Sequence, residues 1–374
     1  MKIYLLLTIL QLGSLVCAQN HQPIIHANSK KVSIKDGDYL KKGTWTIVPE
    51  LKPDIYITSN KRVTFYTDID SISFKIKPNQ KTTDFTIVLN GKDSAWTQIQ
   101  YQKPYLETLR KGKSYNYSDS REIPPFVYQL PTDSNLTKTR QLFHLDSIAG
   151  NGNEISRILN LCHWVHNSVT HDGNSENPDQ ENAIDLIRVC QTENRGINCR
   201  MMAVILNECC LSLGIKSRII TCKPREVDFD DCHVINMVYC NDLKKWVWID
   251  PTFDAYVMNE QGELLSIQEV RERLISGKPL ILNPDANWNR QFSQTKEEYL
   301  FNYMAKNLYR LECSVNSEYN YETWIIGKDV TYIELVPLNG VPETQLSKEI
   351  TTADGVHITV YKTNNPDIFW KKPQ

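Results

Sequence analysis

The hydrophobic period of this chain changes twice, and the changes limit the folds open to it. Between about residues 30 and 101 apolar side chains recur at every second position, as half-buried strands require. Ser71-Ile72-Ser73-Phe74-Lys75-Ile76-Lys77 alternates without a break, 85–89 ends at the turn pair Asn90-Gly91, and 96–101 follows with Trp96, Thr97, Ile99 and Tyr101. Beyond 125 the repeat becomes helical. Ile155, Ile158, Leu159, Cys162, Val165 and Val169 share one face with a stop near Asp172-Gly173, and 183–189 reads as a second helix. Strand character returns at 330–336 and 356–361, both rich in β-branched residues. The pattern predicts an α+β chain with an N-terminal all-β, sandwich-like domain.

The polar, Tyr-rich stretch 111–125 ends in Pro124-Pro125 and reads as a linker. It separates a β-rich domain at 19–110 from a second domain at 126–374 with a β-rich C-terminal extension. No cysteine or histidine lies between 27 and 143. The first domain thus lacks the groups that site chemistry usually employs, which favours a binding or packing role. Residues 1–18 read as a signal peptide: Met1-Lys2 is positive, 3–16 is mostly apolar but short for a membrane span, and Val16-Cys17-Ala18 offers a cleavage site. The alternative is a lipid anchor on Cys17, against which stands the branched Val16 before it. Either way the expectation is an exported protein, periplasmic or extracellular. No later stretch is long and apolar enough for an integral membrane protein. With 42 basic against 44 acidic residues the chain has no basic footprint, so nucleic acid is not an expected partner.

Export changes how the cysteines are read. Without Cys17 nine remain, all in the second half: Cys162, Cys190, Cys199, Cys209, Cys210, Cys222, Cys232, Cys240 and Cys313. In an oxidising compartment an odd number leaves at least one thiol without an intramolecular partner. Most can equally be small buried hydrophobes.

Cys199 stands out by position. Arg195-Gly196-Ile197-Asn198-Cys199-Arg200 precedes an amphipathic stretch, with Met202, Leu206, Cys209, Cys210 and Leu213 at helical spacing and Gly214 as the stop. A cysteine at a helix start meets free N–H groups and the positive end of the macrodipole, which favour a thiolate and can hold an oxyanion. Downstream, 233–239 and 245–250 alternate around Asn241-Asp242 and read as a hairpin. A two-residue loop there would set 240 against 243, and so His233 directly against Asp250, letting the carboxylate orient the imidazole. A longer loop shifts that register. The three residues together, with Cys199 as nucleophile, His233 as base and Asp250 as orienting group, point to acyl transfer.

Gly196-Ile197-Asn198-Cys199-Arg200, Leu213-Gly214-Ile215-Lys216-Ser217-Arg218, Asp231-Cys232-His233-Val234 and Lys245-Trp246-Val247-Trp248-Ile249-Asp250-Pro251-Thr252 closely resemble the transglutaminase-like family over about 155–256. The resemblance implies a papain/transglutaminase-like core, a helix bearing the nucleophile packed on an antiparallel sheet, with Cys199, His233 and Asp250 as the triad. The stretch 302–310 and the β-rich N-terminal region are also similar to secreted bacterial transglutaminase-like proteins. Family members often carry an aromatic residue two positions after the histidine, where this chain has Ile235. The family's upstream oxyanion residue has two candidates. Trp164 suits by its distance from Cys199 but also reads as helix packing, and Asn198 reads equally as the turn residue before a helix.

The resulting expectation is a thiol hydrolase of peptidase or amidase type that forms a thioester on Cys199 without a cofactor. Its expected substrate is a peptide or protein, with cell-wall-linked peptide among the candidates. Hydrolysis is favoured because bacterial members of the resembled family are often hydrolytic; transamidation shares the thioester. His163, His166 and His171 raise a metal site, but neither CxxC nor HExxH occurs and no metal is expected. Arg200 opposes the helix dipole, which suits either a carboxylate partner or a solvated charge. The alternative reading is a non-catalytic binding protein on the same fold, which a shifted hairpin register or a disulfide at Cys199 would support.

Overall fold

The computed structural model describes residues 22–80, 82–229, 231–338 and 347–373. The expected signal peptide, 1–18, with Cys17, lies outside them. The chain divides into two compact units, Met1–Lys103 and Pro104–Gln374. The division comes before the expected domain end at 110, because Tyr105–Lys111 forms a helix whose Leu109 is buried in the core of the second unit. The expected linker 111–125 is not free chain either. A Cβ on Gly112 would lie 2.6 Å from the Tyr309 ring, Tyr115 packs on the core, and the Asn116 N–H donates to the Asn364 carbonyl. Polar composition hides this docking, since backbone hydrogen bonds leave no mark on composition.

The first unit holds two four-stranded sheets. One runs in the order Ile24–Ala27, Thr82–Leu89, Asp93–Tyr101, Asp54–Thr58; the other runs Tyr39–Thr46, Lys31–Asp36, Arg62–Tyr66, Ser71–Lys75. Asn90 and Gly91 both take positive φ, 52° and 63°, the backbone that a tight hairpin between twisted strands needs. Phe65 and Phe85, one from each sheet, are fully buried with rings 4.8 Å apart. Alternate side chains of both sheets thus fill one core.

The second unit is built on a seven-stranded sheet in the order Lys245–Ile249, His233–Cys240, Ser217–Lys223, Arg310–Ser314, Asp329–Leu335, His357–Thr363, Ser347–Thr351. The strand His233–Cys240 is buried at every position because both faces of the sheet are covered. Val234, Val238, Val247 and Ile249 join the core of the helices Glu154–Ser168, Ala183–Glu193 and Cys199–Ser212. Ile235, Met237, Trp246 and Trp248 join the opposite core with the helix Ile267–Ser276 and the π-helical segment Glu297–Met304. The protein is therefore α+β, with helices packed on both faces of one sheet in its second unit.

The helix Cys199–Ser212 is more central than its amphipathic pattern suggests, being buried at every position from Met201 to Ser212. Its polar residues are satisfied within the protein: Asn207 donates to Ser317 Oγ at 2.9 Å, and Glu208 accepts the N–H groups of Ala183 and Asn320 at 2.8 and 2.9 Å. Burial pushes the Glu208 carboxyl up to about 8. The helix stops at Gly214, which holds φ at 77°. A Cβ there would meet only Pro131 Cγ at 3.8 Å, an ordinary contact, so backbone strain is the main consequence of adding one. Gly214→Ala should therefore lower the unfolding free energy by about 1 kcal/mol in chemical denaturation. The alkylation rate of Cys199 should be unchanged.

Candidate active site

Asn198 caps the helix Cys199–Ser212. Its side-chain oxygen accepts the Met201 N–H at 3.1 Å while its amide donates to Asn177 Oδ1 at 2.9 Å. It serves as the turn residue, with its side-chain oxygen committed to the helix N-terminus and one amide hydrogen to Asn177. Cys199 is the first residue of the helix and remains partly exposed. Its backbone N–H belongs to the turn that lacks intrahelical partners. Just before it, Ile197 forms a parallel bridge with His171: Ile197 N–H donates to the Thr170 carbonyl at 2.9 Å and Asp172 N–H to the Ile197 carbonyl at 2.8 Å. Gly196 permits this approach, since a Cβ there would lie 2.7 Å from Asp172 Cβ and 2.9 Å from the Thr170 oxygen. The bridge sets His171 beside Cys199, where its imidazole is among the groups that favour the thiolate.

The hairpin register differs from the expected one. Cys240 faces Lys245 and Met237 faces Trp248, so the loop has four residues, 241–244, with Lys244 at φ 54°. Its tip is held by a distant helix. The Glu154 carboxylate accepts the N–H groups of Asn241 and Asp242, and the Asp242 carboxylate caps Glu154 N–H at 3.0 Å. His233 is consequently not directly opposite Asp250. The shift is two residues, however, and an even shift keeps both side chains on the same side of the sheet. They meet on the diagonal, with His233 Nε2 donating to Asp250 Oδ2 at 2.7 Å. The shift therefore does not separate the pair, and Cys199 is a free thiol.

Asp250 is fully buried, and three groups donate to its carboxylate. Oδ2 takes the His233 proton and the Tyr299 hydroxyl at 2.6 Å, while Oδ1 takes Thr252 N–H at 2.9 Å. Tyr299 is itself held by the indole N–H of Trp248 at 3.1 Å. Phe253 and Tyr303 flank the imidazole with ring centroids 5.5 and 5.2 Å away. Tyr299 and Tyr303 both sit on the π-helical segment, a geometry often found at functional sites. Sequence reasoning missed both, since two tyrosines four apart look like ordinary helix packing.

With Nε2 given to Asp250, Nδ1 of His233 is left for Cys199. Burial disfavours the imidazolium, but the Asp250 charge and hydrogen bond outweigh it and raise His233 to about 10. Burial likewise opposes the Cys199 thiolate. Hydrogen bonds from His171 and His233, the His233 charge and the Val234 N–H outweigh it, lowering Cys199 to about 6. The other eight thiols among the described residues, also free, all shift the opposite way, with burial the largest cause. A thiolate beside an imidazolium backed by a buried carboxylate is chemically a nucleophile with its proton donor in place.

The remaining candidates go elsewhere. Trp164 packs against Phe143 with centroids 5.4 Å apart and ring planes tilted by 51°. Arg200 finds a carboxylate partner: it pairs with Glu322 at 3.0 Å and donates to Thr221 Oγ1 at 2.8 Å. The three histidines do not converge. His163 pairs with Asp254 at 2.7 Å, His166 bridges the Pro251 carbonyl and Asn287 Oδ1, and His171 joins Cys199. Among the described residues the one group with metal-ligand geometry is Glu154, Cys240 and Asp242, where Glu154 and Asp242 already tie the hairpin tip. No described helix is long and apolar enough to cross a membrane.

Two solved structures are similar to this chain. A candidate cysteine protease from Cytophaga hutchinsonii is 20% identical with a TM-score of 0.26, covering 39% of this chain and 48% of its own. Red sea bream transglutaminase is 10% identical with a TM-score of 0.23, covering 62% of this chain and 49% of its own. The chain thus spans about half the length of each. Among curated proteins none matches it. Residues 144–251 match the family model described as the Transglutaminase-like superfamily, a span that contains Cys199, His233 and Asp250. The chain carries a transglutaminase-like domain over residues 144–251.

Proposed function

We propose that this protein is an exported thiol enzyme that cleaves an amide bond of a peptide or protein substrate through a thioester on Cys199. The observation that carries the reading is the arrangement around Cys199: it opens its helix, and His233, which favours its thiolate, is held at 2.7 Å by the buried Asp250. Export rests on the signal-like segment 1–18.

In the resting site the thiol proton resides on His233. The thiolate attacks the substrate carbonyl carbon, and the carbonyl pair moves to oxygen, where N–H groups of the first helical turn are suited to receive the charge. As the tetrahedral adduct collapses, the carbon–nitrogen bond breaks and the His233 proton passes to the leaving amine. Neutral His233 then draws a proton from water, hydroxide equivalent adds to the thioester carbon, and collapse releases the carboxylic acid and restores the thiolate–imidazolium pair. Cys199 is partly exposed, which leaves the site open to a substrate and then to either water or an amine.

Because the Cys199 value is depressed, the reactive thiolate is present above about 6 and lost as pH falls through it; the imidazolium persists until pH passes about 10. Iodoacetamide labelling mapped by mass spectrometry should show Cys199 reacting first, with a midpoint near pH 6. In His233→Ala the midpoint should climb towards about 8.5, the ordinary thiol value. Equal labelling of all the thiols would sink the reading. Asp250→Asn removes the charge that keeps His233 cationic, and should slow acylation of Cys199 by a p-nitrophenyl ester about a hundredfold. Partition of that acyl-enzyme in the presence of a primary amine separates the two outcomes. Hydrolysis predicts mainly free acid, whereas a dominant amide product would assign transamidation.

A further inference from the structure

The bridge to Ile197 sets His171 beside Cys199, where its imidazole favours the thiolate, and the position of its ring proton decides how it can do so. We infer that Trp288 is a positioning residue for this site: its indole N–H holds His171 as the tautomer protonated on Nε2, so that the ring donates to the sulfur. The inference deepens the proposed function and rests on it. An indole nitrogen can only donate, and Trp288 Nε1 lies 3.0 Å from His171 Nδ1. Nδ1 is therefore the lone-pair nitrogen, and the proton of the neutral ring lies on Nε2, the nitrogen that Trp288 does not occupy. A donor at that place stabilises a thiolate. The opposite tautomer would place a lone pair there and stabilise the thiol instead.

The indole is well fixed for this task. The strands Asn287–Trp288 and Phe292–Ser293 form a small hairpin, in which Trp288 packs on Phe292 with centroids 5.8 Å apart. Asn289, at φ 54°, accepts the His171 N–H at 2.7 Å and donates to the His171 carbonyl at 2.9 Å. Arg290 donates to the carbonyls of His166 and Val169 at 2.7 and 3.1 Å. The hairpin is thus tied to the backbone on both sides of the imidazole it orients, and the two rings meet edge to face at 73°. His163 and His166 are engaged with other partners and cannot replace His171.

The test uses the whole protein labelled with ¹⁵N-histidine, with the His171 signals assigned by their loss in His171→Gln. Long-range ¹H–¹⁵N spectra of the wild type should show His171 unprotonated on Nδ1 and protonated on Nε2; the reverse pattern overturns the inference without any variant. Trp288→Phe keeps an aromatic ring and removes the donor. It should give mixed His171 tautomers and raise the alkylation midpoint of Cys199 by about half a unit, about a threefold slower reaction below that midpoint. Dependence on His233 should be retained. A Trp288→Phe profile that superimposes on the wild type overturns the inference. Loss of fast, His233-dependent labelling in the wild type would instead refute the proposed function, while the wild-type spectrum still decides the tautomer.

Discussion

A carboxylate with no exposed surface sits at the end of the strand Lys245–Ile249, and much of the local structure compensates for it. Taking such a charge out of water costs several kcal/mol unless partners surround it. Asp250 has three: the His233 ring, the Tyr299 hydroxyl and the Thr252 amide. Trp248 secures Tyr299 from beneath, and the Phe253 and Tyr303 rings close over the imidazole. A buried negative charge with a histidine against it makes the histidine positive, and the positive histidine in turn holds a negative sulfur. The charge state of Cys199 thus begins at a residue on the far side of the imidazole.

The same thiol chemistry gives different results along one helix. Cys199, Cys209 and Cys210 share the segment Cys199–Ser212, yet burial raises the latter two and the first is lowered. The difference is position. Interior helix residues have their backbone groups paired, and Cys209 and Cys210 are buried in the apolar core. The first residue faces unpaired N–H groups and, here, two imidazoles and the Val234 amide. Burial opposes the thiolate in each case and is outweighed only where donors converge.

Several of these features were legible in the residues. The capping residue Asn198, the apolar spacing to Leu213 and the stop at Gly214 located the nucleophile helix. Alternation in 233–239 and 245–250 put His233 and Asp250 on one side of a hairpin. The register itself was not legible, because the four-residue loop depends on Glu154, more than eighty residues away in sequence, taking the amides that a tight turn would have used. His171 was visible only as one of three nearby histidines. Its role depends on a bridge to Ile197, which requires the close backbone approach at Gly196. The docking of 111–125 was hidden for a similar reason, since composition reports solvation and not which carbonyl accepts which N–H.

The sequence by itself determined the periods, the ends of the nucleophile helix and the side of the sheet that His233 and Asp250 share, because propensity, capping and alternation act between residues a few positions apart. Only the tertiary structure decided that the pair meets on a diagonal, that Tyr299 and Thr252 complete the carboxylate's shell, and that His171 and Trp288 converge beside Cys199. Those are contacts between segments far apart in the chain, and they form only when burial removes water and leaves each polar group to find a partner within the protein.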